Sequence, residues 1–373
     1  MSFVLPDSKG SIHKILFHQS SAYQNDRQIR KGIFENLLKN LNRIGVKPKV
    51  YVFTTYRNNA ERTFLEDEAN DWKSFVSSLN YAKIKVSDEI WSKLAYAQDT
   101  CIITNPKKPA AIMTRAGRYG DMIRLLSKTG LLQNAGLQIV KPRQNFILEG
   151  GHIYACTKIL LYSNPKDREV VELFKQTPIF IRSIISQFIN GMLDILYPGT
   201  LTYNLPDHVD LIFSIFEREG SYDVFHVNFK EATLSSPIWY NYRRQILLNR
   251  RFKEWDNQLQ KIIEKIKKRL KNATFHKIPG FIWYETLPQR REFFVYSGVN
   301  LLFHSDKDRD YAFYLKSPSE VNEYVQINQG IESALRSVNI TPIPIIGKNE
   351  YMNLAEIRNS AGIRCLVKVL ARN

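Results

Sequence analysis

Ile12-His13-Lys14-Ile15-Leu16-Phe17-His18 and Lys49-Val50-Tyr51-Val52-Phe53-Thr54 are two runs of strand length, rich in β-branched and aromatic residues. Between them, from Asp26 to Asn42, the apolar residues Ile29, Ile33, Leu37, Leu38 and Leu41 fall at helical spacing. That spacing gathers them on one face, ready to cover a sheet. A strand, a helix and a strand in succession are the unit of α/β architecture, so this stretch gives the fold class as α/β.

Outward from it the alternation continues. Asn58 to Leu79 reads as a mostly polar helix, Ile84-Lys85-Val86 as a short strand, and Asp88 to Tyr96 as a short helix or loop. Ala97 to Thr104 reads as a strand with Asp99 at its entrance, turning through Asn105 to Pro109 into a partner strand, Ala110 to Met113. Gly120 to Leu132 reads as a helix; Gly136 to Val140, Phe146 to Glu149 and Lys158 to Tyr162 read as strands. Pro165 to Tyr197 reads as one or two helices, then Leu211 to Phe216 and Val224 to Val227 as strands. The clearest helix is Asn241 to Lys271, where Trp255, Leu259, Ile262, Ile263, Ile266 and Leu270 form one stripe among eleven Lys or Arg. The expectation is a core-facing stripe under a solvated basic face, in preference to a nucleic-acid contact. Phe281 to Trp283 and Phe293 to Phe303 read as strands, Ser317 to Val325 as mixed, Ile331 to Val338 as a short helix and Ile343 to Ile346 as a strand. Asn359 to Leu370 ends in a terminal strand unit that contains Cys365.

Composition bounds the function. With 44% hydrophobic and 24% charged residues and no low-complexity tract or linker, residues 1–373 are expected to form one domain. The balance of 53 Lys+Arg against 36 Asp+Glu gives +17, a field that attracts nucleic acid, anionic membrane or acidic proteins. The first twenty residues show no signal-peptide pattern, and the most apolar segment, Thr177 to Pro198, carries Arg182 and Asp194. Neither a leader nor a membrane span is expected, and the location read from this is cytoplasmic. Cys101, Cys156 and Cys365 form no CxxC pair, which excludes a disulfide scaffold and a zinc finger.

Chemistry gathers at four places. Leu148-Glu149-Gly150-Gly151-His152 brings a carboxylate to the end of an apolar run and follows it with two glycines, which let another group approach closely. Asp99, the pair His208 and Asp210, and Cys365 also stand beside strands or turns. Singly, each reads as a turn acid, a satisfied histidine or a small buried hydrophobe. Together and in order they resemble the guanidine-modifying enzymes of the pentein superfamily. The matching pieces are Gln98-Asp99, Phe146-x-Leu148-Glu149-Gly150-Gly151, His208-Val209-Asp210 and Gly362-x-x-Cys365. Asp207 to Ser214 is similar to a segment of peptidylarginine deiminases. The Glu149 motif and Tyr296 to Phe303 look more like agmatine deiminases and the related bacterial-type peptidylarginine deiminases.

The resemblance implies a five-bladed α/β propeller of ββαβ-type repeats around a central active-site pocket, although no such repeat is visible in the sequence. It implies Cys365 as thiolate nucleophile, and His208 as proton donor and then base. Glu149 would orient His208, and Asp99 and Asp210 would hold the planar guanidinium by two-point hydrogen bonds. No metal or organic cofactor is implied. The substrate would be agmatine or arginine, free or within a polypeptide, and the product a ureido group plus ammonia. An amidinotransferase shares the covalent intermediate and stays an alternative. So does a catalytically silent basic pentein that binds nucleic acid or a protein, with nucleic acid not favoured. Two departures bear on the substrate: Gln98 replaces the usual arginine, and Ser360-Ala361-Gly362-Ile363-Arg364 replaces a glycine-rich turn ending in histidine. Arg364 beside the nucleophile would favour the thiolate if its side chain pointed inward, but on a strand adjacent residues face opposite sides, so it is expected to face away.

Overall fold

The opening unit folds as its pattern requires. Strands Ile12–Ser20 and Lys49–Tyr56 pair in parallel. Helix Gln24–Arg43 crosses between them and buries Ile29, Ile33, Leu37, Leu38 and Leu41. The Phe17 ring stacks on Phe34 at 4.0 Å, and Trp72 meets both edge-on. This geometry comes from a computed structural model. It describes residues 3–20, 24–87, 96–105, 109–113, 124–140, 151, 153–156, 159–162, 194–196, 209–228, 253–287 except 254, 255, 258, 265 and 269, then 290–319, 322–350, 353 and 362–373.

Across the described residues one pairing recurs five times: an antiparallel pair, then a strand parallel to its second member. Cys101–Asn105 pairs with Ala110–Met113, which runs parallel to Gln138–Val140. Ile153–Ala155, Ile159–Tyr162 and Asp194–Leu196 repeat the arrangement. So do Phe213–Arg218, Ser221–Asn228 and the first half of Ala273–Leu287. Leu302–Ser305, Asp310–Leu315 and Ile340–Ile345 form the fourth set. The fifth joins distant parts of the chain, because Val367–Arg372 pairs antiparallel with Ile12–Ser20, itself parallel to Lys49–Tyr56. Parallel neighbours cannot be joined by a tight turn, so each needs a crossover. Helices Gln24–Arg43 and Asn322–Arg336 supply two of them. Between Asn228 and Ala273 the crossover carries the basic helix. Its Leu259, Ile262, Ile263, Ile266 and Leu270 are buried while Lys253, Lys261, Lys267 and Lys268 are exposed, as the stripe predicted; Trp255 lies outside the described residues. No helix among the described residues is long and apolar enough to cross a membrane.

Several expectations are corrected. Asn58 to Leu79 is not one helix: Asn59–Asn70 is capped by the Asn58 side chain on the Glu61 amide, and a 3-10 turn, Asp71–Phe75, then buries Trp72. The strand after it is Ser78–Lys85, at the sheet edge beside Lys49–Tyr56. An edge strand tolerates its polar Ser78, Asn80 and Lys83, which is why it does not read as a strand. Among the described residues, Gly120 to Leu132 is interrupted by Gly130 at φ +76, and a new turn of helix, Leu131–Asn134, starts there. The end of Pro165 to Tyr197 is a strand, Asp194–Leu196, because it completes a sheet beside Ile159–Tyr162. Phe293 to Phe303 breaks into Arg290–Ser297 and Leu302–Ser305, and the helix expected from Ile331 starts at Asn322. Residues 88–95 and 146–149 lie outside the described residues, and with them most of the expected helix or loop and the strand ending at Glu149.

Packing also creates a pH dependence. His304 is fully buried on Leu302–Ser305, and its Nδ1 accepts the Ile12 N–H at 3.1 Å. Burial, helped by the Arg372 cation, pushes its pKa down to about 4. As pH falls below the ordinary histidine value of about 6.5, the unfolded chain takes a proton that the folded chain refuses until about 4. Stability is therefore complete above that value and falls through the interval, by about 3 kcal/mol from this residue. Urea unfolding near pH 7.5 and near pH 4.5 measures it, and His304→Gln should flatten the difference. An unchanged pH slope in the variant would remove His304 as its source.

Candidate active site

In each of the five sets a turn or short irregular segment precedes the first strand, and four of these carry polar residues that matter here. The 3-10 turn Ala97–Thr100, with Asp99, leads into Cys101–Asn105. It replaces the first half of the expected strand because the Thr100 hydroxyl donates back to the Ala97 carbonyl at 2.8 Å. Gly151 stands ahead of Ile153–Ala155. The 3-10 turn Val209–Leu211, with Asp210, leads into Phe213–Arg218. Asn300 stands ahead of Leu302–Ser305, and the one-turn helix Ile363–Leu366, with Cys365, leads into Val367–Arg372. Glu149, His208 and the Asp99 side chain lie outside the described residues.

Two of the sequence-predicted residues meet. Cys365 Sγ lies 3.9 Å from Asp210 Oδ2, and both residues are buried, Asp210 completely. The Asn300 amide nitrogen donates to Cys365 Sγ at 3.4 Å while its Oδ1 accepts the Arg364 backbone N–H at 2.8 Å. Arg364 Nη1 stands 3.3 Å from the same Asp210 oxygen, and Nη2 stands 2.7 Å from Asp7 Oδ1. The Arg364 guanidinium also lies over the face of Tyr154, 4.5 Å from the ring centre.

Cys365 is thus on a helical turn and not on a strand. Successive residues there rotate by about 100° instead of 180°. Arg364 therefore reaches the same carboxylate as its neighbour, against the expectation that it faces away. Asp210 in turn is already engaged by a guanidinium of the chain itself.

Burial shapes the charges. It disfavours the Arg364 cation, but Asp7 and Asp210 outweigh it and hold the pKa above the ordinary value. Arg372, partly buried beside Asp7 and Arg364, is pulled down to about 10, chiefly by desolvation. Burial also raises the thiols of Cys101 and Cys156, the latter helped by Glu217 and Asp7. No group of three His, Cys, Asp or Glu among the described residues is arranged to hold a metal.

No family model matches the sequence, and no curated protein matches it. Solved structures do. Agmatine deiminase of C. jejuni covers 99% of this chain with 95% of its own, at a TM-score of 0.58 and 13% identity. The agmatine deiminase of Enterococcus faecalis covers 98% with 95%, at 0.56 and 11%. A protein provisionally described as a peptidyl-arginine deiminase covers 98% with 98%, at 0.59 and 13%. The chain has the agmatine deiminase fold.

On that fold, three residues of the cluster escape the sequence reading. Asn300 lies within the quoted segment Tyr296 to Phe303, read there as continuous strand. A signal was present, since Gly298-Val299-Asn300 before an apolar run places a polar residue just ahead of a strand, as Asp99 and Asp210 do. Asp7, after Pro6, and Tyr154, between two expected strands, draw no reading from the sequence. Nothing local shows that both face Arg364.

Proposed function

We propose that this chain is a cysteine-dependent hydrolase that deiminates a guanidino group. The observation that carries the reading is the buried contact between Cys365 and Asp210, on turns of a deiminase fold. We also propose that residues 1–373 form one domain and that the five strand sets stand as propeller blades, with the turns ahead of their first strands at the axis.

The roles follow from the chemistry. Asp210 and Asp99 hold the substrate guanidinium, whose N–H groups match carboxylates. The Cys365 thiolate attacks the guanidinium carbon, forming a C–S bond. His208, oriented by Glu149, gives a proton to one nitrogen, and ammonia leaves as the C–N bond breaks. His208 then takes a proton from water. The resulting oxygen attacks the thiouronium carbon, the C–S bond breaks, and the thiolate and a ureido product are released. The electrons stay balanced without a cofactor.

Candidate substrates are agmatine and arginine, free or in a polypeptide. The deiminase neighbours support the small molecule, and the +17 charge supports arginine on an acidic or neutral polypeptide. A colorimetric screen for ureido product with agmatine, free arginine and an arginine-containing peptide tests the reading; no product from any guanidino compound would overturn it. Asp210→Asn keeps the shape and removes the charge. A hydrogen bond to a charged group is worth roughly 1.5–3 kcal/mol, so kcat/KM should fall at least about tenfold. Unchanged kinetics would remove Asp210 from substrate binding.

A further inference from the structure

Arg364 turns toward Asp210 and Asp7, against the direction expected of a strand residue. It sits next to Cys365 in the chain, and in space the two side chains flank one oxygen, Asp210 Oδ2, at 3.3 and 3.9 Å. Three contacts fix the guanidinium: Asp210, Asp7 and the face of Tyr154. Asp7 is itself anchored. Its Oδ2 accepts the Ala155 N–H at 2.7 Å, its own N–H donates to the Ala155 carbonyl at 2.9 Å, and its carbonyl accepts from Arg372. A planar fork held between two carboxylates and a ring has little freedom left.

We infer that Arg364 is a fixed cation that stabilises the Cys365 thiolate, and that Asp7 is a positioning residue that holds Arg364 in place. The inference rests on Cys365 being the nucleophile. Asp210, 3.9 Å from the sulfur, would by itself favour the protonated thiol; a cation on the same oxygen offsets it. Among the described residues, the other surroundings of Cys365 contribute little charge. Asn300 is neutral, and the 3-10 turn Ala97–Thr100 brings Gln98 and Thr100, with the Asp99 side chain outside the described residues. Helix Gln24–Arg43 and strand Asp310–Leu315 share with the Ile363–Leu366 turn an apolar cluster that includes Ile33, Phe313, Leu315, Ile363 and Leu366. Arg30 on that helix is buried against Tyr96, and Lys368 follows on the terminal strand.

The test is the rate of Cys365 alkylation by iodoacetamide as a function of pH, with the adduct located by peptide mass spectrometry. Cys101 and Cys156 are fully buried with thiols raised by burial, so the signal near neutral pH belongs to Cys365. Arg364→Gln should slow alkylation about tenfold near pH 7 and recover near pH 9.5, the change expected for a loss of one pKa unit of stabilisation. Arg364→Lys, which keeps the charge without the fork, should stay within about threefold of the parent. Asp7→Asn separates holding from charge. Removing an anion would speed alkylation if Asp7 acted by its field alone; loss of the anchor should slow it. Thermal melts of the variants check that each is folded. An Arg364→Gln profile like the parent's overturns the role of Arg364, and an Asp7→Asn rate equal to or above the parent's overturns that of Asp7. Alkylation needs no guanidino substrate, so this failure is distinct from a failed ureido screen.

Discussion

Cys365→Ala is expected to abolish release of ureido product while leaving the chain folded. Only Sγ is removed, and among the described residues its contacts include a hydrogen bond from Asn300 and the approach to Asp210. Losing an acceptor of that kind costs about 1–2 kcal/mol, a modest part of a domain's stability. Turnover has no such reserve, because no other group would form the C–S bond. Cys101→Ala and Cys156→Ala should keep most activity, since both thiols are fully buried, and burial raises the pKa of each. Rapid quenching of the parent enzyme with substrate should trap a mass increase equal to the substrate minus ammonia, on the peptide containing Cys365. Ureido production by purified Cys365→Ala at the parent rate would end the nucleophile assignment.

The sequence carries the α/β class through a local pattern, and that pattern is local because a helix stripe such as Ile29 to Leu41 needs no distant partner to be recognised. The repeat is invisible for a matching reason. Its sets share pairing and not sequence: Cys101-Ile102-Ile103-Thr104-Asn105 and Leu302-Phe303-His304-Ser305 hold equivalent places with no common residue order. The crossovers also differ greatly in length, from Met113 to Gln138 and from Asn228 to Ala273, so no fixed period exists to detect. Asp210 and Cys365 are legible because their chemistry is uncommon in that order. Asp7 and Tyr154 are not, because an acid after proline and a tyrosine in a strand have many uses. Arg364 is visible but misplaced, since its direction depends on whether one turn is helical.

Gly362→Ala is expected to lower kcat/KM by about a hundredfold through the space that one methyl group occupies. Gly362 has φ −133, a backbone that any residue adopts, so strain is not the reason for glycine here. Space is. A Cβ on Gly362 would lie 2.4 Å from both Cγ and Oδ1 of Asn300, where ordinary contact begins at 3.4 Å. The amide must move by about 1 Å, and it is the same amide that donates to Cys365 Sγ and accepts from the Arg364 backbone. Both contacts loosen together, and the nucleophile shifts relative to Asp210. Displacements of that size cost about two orders of magnitude in rate when reacting atoms must be aligned. Overpacking also predicts about 1–3 kcal/mol less stability, readable in a urea melt. The mechanism has a signature beyond the size of the loss. Asn300→Gly removes the whole side chain that the methyl would strike, including its Cβ at 2.5 Å, so the double variant should be no worse than Asn300→Gly alone. Additive losses would mean that Gly362 acts on something other than Asn300, and a fully active, folded Gly362→Ala would mean that the amide does not position the thiol.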